Sequence, residues 1–117
     1  MIRITVLYPN MEGAYFNMDY YLNQHAALIR ERLIPLGLVR VDLEEGLSGM
    51  APGVPAPYRV IGSLTFRSME DVQVALAVHG EELVADIANY TNIPAQMLIT
   101  RVIVPAEAAT PAPSGGV

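Results

Sequence analysis

Apolar and polar residues alternate from Ile2 to Tyr8, with Ile2, Ile4, Val6 and Tyr8 on one side and Arg3, Thr5 and Leu7 on the other. A period of two marks a strand with one buried face. Pro9 and Asn10 end it, and the stretch to Gly13 forms a loop. From Asn17 the period lengthens to that of a helix. Asn17 is placed to cap it, Asp19 suits the positive end of its dipole, and Pro35 and Gly37 stop it soon after Leu33. At 100° per residue, Leu22, Ala26, Ile29 and Leu33 form the buried stripe, while Tyr20, Asn23, Gln24, Arg30 and Glu31 face water. Tyr21, His25, Leu28 and Arg32 fall on one edge of that stripe, where a side chain can touch both core and cavity.

Alternation returns in Leu38 to Glu44, with Val39, Val41 and Leu43 inward and Arg40, Asp42 and Glu44 outward. Gly46 to Pro57 carries three Gly and three Pro and reads as a long loop, either a lid or a disordered segment. Tyr58 to Phe66 is a third strand, in which Gly62 leaves room for close approach to the sheet. Ser68, followed three residues later by Asp71, has the spacing of a capping box. The helix it opens buries Val72, Leu76 and His79 and is expected to stop at Gly80. Glu81 to Ala88 then starts a second short helix with Leu83, Val84 and Ile87 inward. Thr91 to Pro94 turns the chain into a last strand, Met97 to Val104.

The order β-α-β-β-α-β predicts an α+β, ferredoxin-like domain over residues 1–104: a four-stranded antiparallel sheet with both helices on one face. The tail, Pro105 to Val117, is rich in Ala, Pro and Gly and is expected to be disordered. The other sheet face carries Arg3, Thr5, Leu7, Arg59, Ile61, Ser63, Thr65, Thr100 and Val102, too mixed for a deep core and too short of charge for a solvated surface. A second copy of the sheet packed against it satisfies both conditions, so a symmetric homodimer through the sheet face is expected.

Composition sharpens this. The chain has 117 residues, 52% of them hydrophobic and only 16% charged, an apolar excess that fits buried subunit contacts. A net charge of -5 with no basic cluster gives phosphate backbones nothing to bind, so nucleic acid is not an expected partner. No apolar run approaches the roughly 20 residues that span a membrane, and residues 1–8 hold no secretory signal. The expectation is a cytoplasmic chain without membrane contact. The absence of Cys removes thiolate nucleophiles, disulfides and iron-sulfur clusters. With His25 and His79 in no familiar ligand spacing, neither a metal nor a cofactor is expected.

Several short motifs recur in one order: Tyr8-Pro9, then Phe16-Asn17, then Asp19-Tyr20-Tyr21-Leu22 with His25, then Gly62-Ser63-Leu64-Thr65-Phe66. His79-Gly80-Glu81-Glu82 and Ala85-Asp86-Ile87-Ala88-Asn89-Tyr90-Thr91-Asn92 complete the series. Over residues 2–104 this resembles the EthD family. The resemblance implies a dimeric α+β barrel. The family is named for a protein required in bacterial ethyl tert-butyl ether degradation beside a cytochrome P450 system. Related barrels include cofactor-free monooxygenases, muconolactone isomerases and polyketide cyclases or decarboxylases, and fold alone does not choose among them. This chain departs from the pattern at Asn17, where Asp is common, and at Ala26-Ala27, where a Pro is expected after the His.

His25 is the sharpest candidate for chemistry, because an imidazole takes or gives a proton near neutral pH. The competing reading is a buried His that orients its helix. Tyr21 either fills the seam between helix and sheet or holds a developing oxyanion, and Arg32 either binds a carboxylate or phenolate or snorkels to water. His79 is expected to cap a helix end. Tyr58, Tyr90 and Asn92 are candidate pocket rims. No phosphate-cradling Gly loop, Ser/His/Asp order or dinucleotide fingerprint is present. Two functional readings follow: a protein that binds a small hydrophobic or aromatic molecule as an accessory to oxidative catabolism, or a cofactor-independent enzyme with His25 as general base.

Overall fold

The computed structural model describes residues 1–104; the tail expected to be disordered lies outside the described residues. Strand β1 (Ile2–Pro9) leads to helix α1 (residues 18–33), built from an α-turn at Met18–Tyr20, a π-turn at Tyr21–His25 and an α-segment at Ala26–Leu33. A 3₁₀ turn, Ile34–Leu36, precedes β2 (Leu38–Glu45) and β3 (Tyr58–Phe66). Helix α2 (Met69–Asp86), a 3₁₀ turn at Ile87–Asn89 and β4 (Gln96–Arg101) complete the chain. All pairings are antiparallel, in the order β2-β3-β1-β4. This is the α+β ferredoxin-like arrangement the alternating periods predict.

The caps act as anticipated. Asn17 accepts the Tyr20 amide at 3.0 Å and Ser68 accepts the Asp71 amide at 3.2 Å, each satisfying a first-turn donor that has no partner inside its helix. After α1 the chain reverses through Gly37, whose φ of 103° is a left-handed conformation that other residues adopt only at a cost. The helices and the inner sheet face enclose an aliphatic core of Ile2, Ile4, Ile29, Leu33, Leu38, Leu64, Val72 and Ala75 around a fully buried Phe66.

Several expectations are corrected. Leu22 is 48% exposed, and Tyr21 and His25 are buried in its place. The cause is the π-turn: the Ala26 amide bonds to the Tyr21 carbonyl five residues back, so the helix gains a residue and its phase rotates. The same rotation brings Tyr20 out of water into a half-buried position. In β2, Val39 is 41% exposed, because a bulge between Leu38 and Arg40 sets it outside the alternation. The helix expected to stop at Gly80 instead runs unbroken to Asp86. A mid-helix Gly costs about 1 kcal/mol relative to Ala, a cost offset by packing Leu83 onto the aliphatic core and, beyond the helix end, Ile87 onto a second cluster. His79 therefore lies within the helix and caps nothing, while Leu76 and Val84 are 44% and 52% exposed rather than buried. Finally, β4 ends at Arg101, three residues short of the expected end, although the Val102 amide still reaches the Met1 carbonyl.

The loop at residues 46–57 forms no strand or helix but is tied at both ends. The Gly46 amide reaches the Arg59 carbonyl, and Asn10 binds the carbonyls of Ala56 and Pro57. Among the described residues no helix is long and apolar enough to cross a membrane.

Candidate functional site

The π-turn turns Tyr21 and His25 inward together. They join Tyr8 from β1 and Tyr90 from the turn after α2, with Phe16 and Tyr20 packed alongside. Phe16 meets the rings of Tyr8, Tyr21 and Tyr90 edge-on with centroids 4.9–5.3 Å apart, the geometry that sets a positive ring edge against a negative face. The Tyr8 and Tyr90 hydroxyls share a hydrogen bond of 2.6 Å. Gly62 makes room for Tyr21: a Cβ there would lie 2.8 Å from the Tyr21 hydroxyl.

His25 is 5% exposed and sits beside this cluster, its ring stacked at 14° to Tyr21 and with its centroid 4.7 Å from that of Tyr90. Its Nδ1 and Asp86 Oδ2 are 2.7 Å apart. The other oxygen, Oδ1, accepts from the Tyr20 hydroxyl at 2.7 Å and from Asn89 at 2.9 Å. Burial pushes the Asp86 carboxyl up, but the hydrogen bonds from Tyr20, His25 and Asn89 outweigh it and hold the group below the usual carboxylate range. Asp86 is therefore ionised at neutral pH. Burial raises all three inner tyrosines: Tyr8 is partly relieved by the bond to Tyr90, whereas Tyr21 and Tyr90 are pushed further up by neighbouring phenols. These hydroxyls stay protonated at neutral pH.

Beside His25 a cavity of about 80 Å³ lies between α2 and the sheet. Its walls are apolar, among them Ile4, Val6, Ile29, Leu64 and Leu83, and its polar side chains are His25 and Tyr8. Leu76, Val84 and Met97, each about half exposed, form its mouth. A second cavity, of about 220 Å³, lies between α1 and the β2 edge and is lined by Tyr21, Leu43 and Glu44.

Of the candidate residues, Tyr21, His25 and Tyr90 come together. Arg32 and His79 do not reach the cavity: both face Glu82, at 2.9 and 3.7 Å, on the outer side of the helix pair. Tyr58 reaches Gln96 at 3.4 Å across the sheet, and Asn92 accepts the Tyr15 amide at 3.0 Å in the turn before β4. Asp86, Tyr20, Asn89 and Tyr8 were not singled out from the sequence. Asp86 lies 61 residues from His25, so no local spacing links them, and the motif containing it was the only sequence signal. Among the described residues no three His, Asp or Glu side chains gather as a metal site.

An antiparallel sheet covered on one face by two helices, with an aromatic cluster and a buried His between the layers, defines the ferredoxin-like class of α+β protein. Within that class the chain is similar to an EthD-like protein from Ralstonia eutropha, with 35% identity over 88% of this chain and 92% of that one, at a TM-score of 0.81. The chain belongs to the EthD family. An ethyl tert-butyl ether (EthD) family protein from Bacillus halodurans shares the fold at 17% identity over 88% and 99% of the two chains, with a TM-score of 0.62. A dimeric ferredoxin-like protein from an uncultured marine organism shares it at 12% identity over 92% and 100%, with a TM-score of 0.55. No family profile and no curated protein matches the sequence.

Proposed function

We propose that this EthD-family protein binds a small apolar or aromatic molecule in the cavity beside His25, as an accessory to oxidative catabolism. The observation that carries the reading is an apolar cavity whose polar lining comes down to His25 and Tyr8, a small number of oriented groups in a greasy pocket being the pattern of small-molecule sites. Titration with naphthalene, followed by NMR, is expected to shift the signals of Ile29, Leu83 and His25. Leu76→Trp, which fills the mouth, is expected to abolish those shifts. Unmoved signals in the wild type would end the pocket reading.

The ionised carboxylate behind His25 favours a second reading, in which the protein is a cofactor-independent enzyme and His25 is its general base. In that reading Nε2 removes a proton from a bound substrate, and the resulting imidazolium is stabilised by Asp86. The test is deuterium exchange into the acidic α-carbon of 2-tetralone, an apolar ketone. Acceleration by the wild type that is lost in His25→Ala, with ketone affinity retained, supports the enzyme. Equal exchange by both proteins leaves the binding role alone.

The same reading includes a homodimer through the bare sheet face. Leu7 and Ile61 lie half-buried there beside an exposed Leu98, with no layer among the described residues above them. A related fold that is dimeric supports it. Sedimentation at micromolar concentration is expected to give twice the chain mass, and a monomer would overturn this part.

A further inference from the structure

Asp86 is an unusual place to keep a negative charge. It is the last residue of α2, where the helix dipole is negative and disfavours an anion. Three donors nonetheless converge on it, from His25, Tyr20 and Asn89, and its side chain is only 13% exposed. Asn89 also approaches the Tyr20 hydroxyl at 3.4 Å, which closes the group into one network. An ionised carboxylate can only accept, so the hydrogen between Nδ1 and Oδ2 belongs to His25. In the neutral imidazole that leaves the lone pair on Nε2. The ring is also fixed in orientation, stacked with Tyr21 on one side and against Tyr90 on another.

Nε2 has no hydrogen-bond partner among the described residues, yet no buried side-chain nitrogen or oxygen among them is left unpartnered. Among the described residues this sets Nε2 against accessible space, and the space that His25 lines is the apolar cavity. A bare acceptor there selects its occupant by chemistry. A neutral O–H or N–H donor completes it, a molecule with no donor leaves it unpaired, and an anion meets the lone pair with a carboxylate behind it.

We infer that Asp86 is a positioning residue, which holds His25 in the Nδ1–H form and thereby restricts the cavity to neutral apolar molecules carrying one hydrogen-bond donor, of the phenol or alcohol kind. The inference rests on the pocket reading proposed above, and its test separates the two. The probes are 4-ethylphenol and 4-ethylanisole, which share an apolar body and differ in the donor. The wild type is expected to bind the phenol about tenfold more tightly, the value of one hydrogen bond to a buried acceptor. In ¹⁵N NMR of the free wild-type protein with the imidazole in its neutral form, His25 is expected to show a protonated Nδ1 and an unprotonated Nε2. Asp86→Asn is expected to redistribute that tautomer and to cut the preference to twofold or less, while the affinity for 4-ethylanisole stays within twofold. A carboxylate that served only to tie the helices together would move stability and leave tautomer and preference alone.

If neither probe binds, the pocket reading fails and the inference with it. If both bind equally, or if wild-type Nε2 carries the proton, the inference alone is overturned. The wild-type tautomer and probe ratio decide the matter even where Asp86→Asn does not fold. Tyr20→Phe supplies the graded version, expected to loosen Asp86 and lower the phenol preference by a smaller factor without touching the cavity wall.

Discussion

Around Phe66 the interior is aliphatic, a set of Ile, Leu, Val and Ala side chains drawn from β1, β2, β3 and both helices, with no polar group to satisfy. Around Tyr8 it is aromatic, and nearly every ring brings a hydroxyl or a nitrogen that needs a partner: Tyr8 with Tyr90, Tyr20 with Asp86, His25 with Asp86. The first region gains free energy simply by excluding water. The second spends part of that gain on directed bonds, and in exchange the groups within it are held in fixed orientations. Burial without directed bonds characterises one half of the layer between helices and sheet, and oriented polar groups the other. The cavity runs between them, with aliphatic walls and an imidazole at its polar end.

The largest expected effect breaks the aliphatic side. Phe66 is fully buried at the centre of its cluster, so Phe66→Ala removes a ring and leaves a void that rigid strands cannot close. The expected loss is about 3–5 kcal/mol, a large share of the stability of a domain this size. Urea denaturation checks it, and a loss under about 1 kcal/mol would place the stabilising core elsewhere.

A smaller effect tests whether the aromatic side is held by shape as well as by bonds. In Gly62→Ala the new methyl would meet the Tyr21 hydroxyl at 2.8 Å, and the Tyr21 ring cannot simply swing away because Tyr8 and Phe16 pack against it. The expected cost is about 1–3 kcal/mol. In a Tyr21→Phe background the same substitution is expected to lose most of that cost, since the clashing oxygen is gone. A double-mutant cycle from denaturation curves measures the coupling. Additive losses would mean that Gly62 is needed for its backbone rather than for Tyr21.

The two regions also differ in how far they can be read from the sequence. Strand alternation and helix period placed most of the aliphatic core, Ile2, Ile4, Ile29, Leu33, Leu64 and Val72, because each of those residues obeys the local rule of its own element. The rule failed where a backbone irregularity reset the phase: the π-turn exchanged Leu22 for Tyr21 and His25, and the bulge expelled Val39. Gly80 misled for a related reason, since its local preference to end a helix yields to contacts made by Leu83 and Ile87 further along. The site was less legible. His25 stood out as a residue type on a promising flank, but Asp86, which gives that His its orientation, comes from another helix and lies among ordinary surface-like residues. Tyr8 looked like one more strand residue, and its bond to Tyr90 joins positions 82 apart in the chain. Pairings of that span are set by topology, which a linear pattern specifies only after the fold is known.

The smallest expected effect concerns the charge that distinguishes the aromatic side. The folded protein holds the Asp86 carboxyl below its ordinary range, whereas an unfolded chain returns it to about 3.9. A group depressed on folding contributes stability that is fully present above its unfolded value and is lost as the pH falls through the folded one. Asp86 should therefore help the fold at neutral pH and cease to help in the acid range below about pH 4. Thermal unfolding of the wild type and Asp86→Asn from pH 7 down to pH 2 measures this directly. The gap between the two proteins is expected to be widest at neutral pH and to narrow steadily as Asp86 is protonated. Phe66→Ala supplies the contrast, because it removes no titrating group and its gap from the wild type is expected to stay nearly constant over the same range. A gap for Asp86→Asn that widened toward acid would reverse the assignment of this carboxylate, since it would mean that the protonated form is the one the fold prefers.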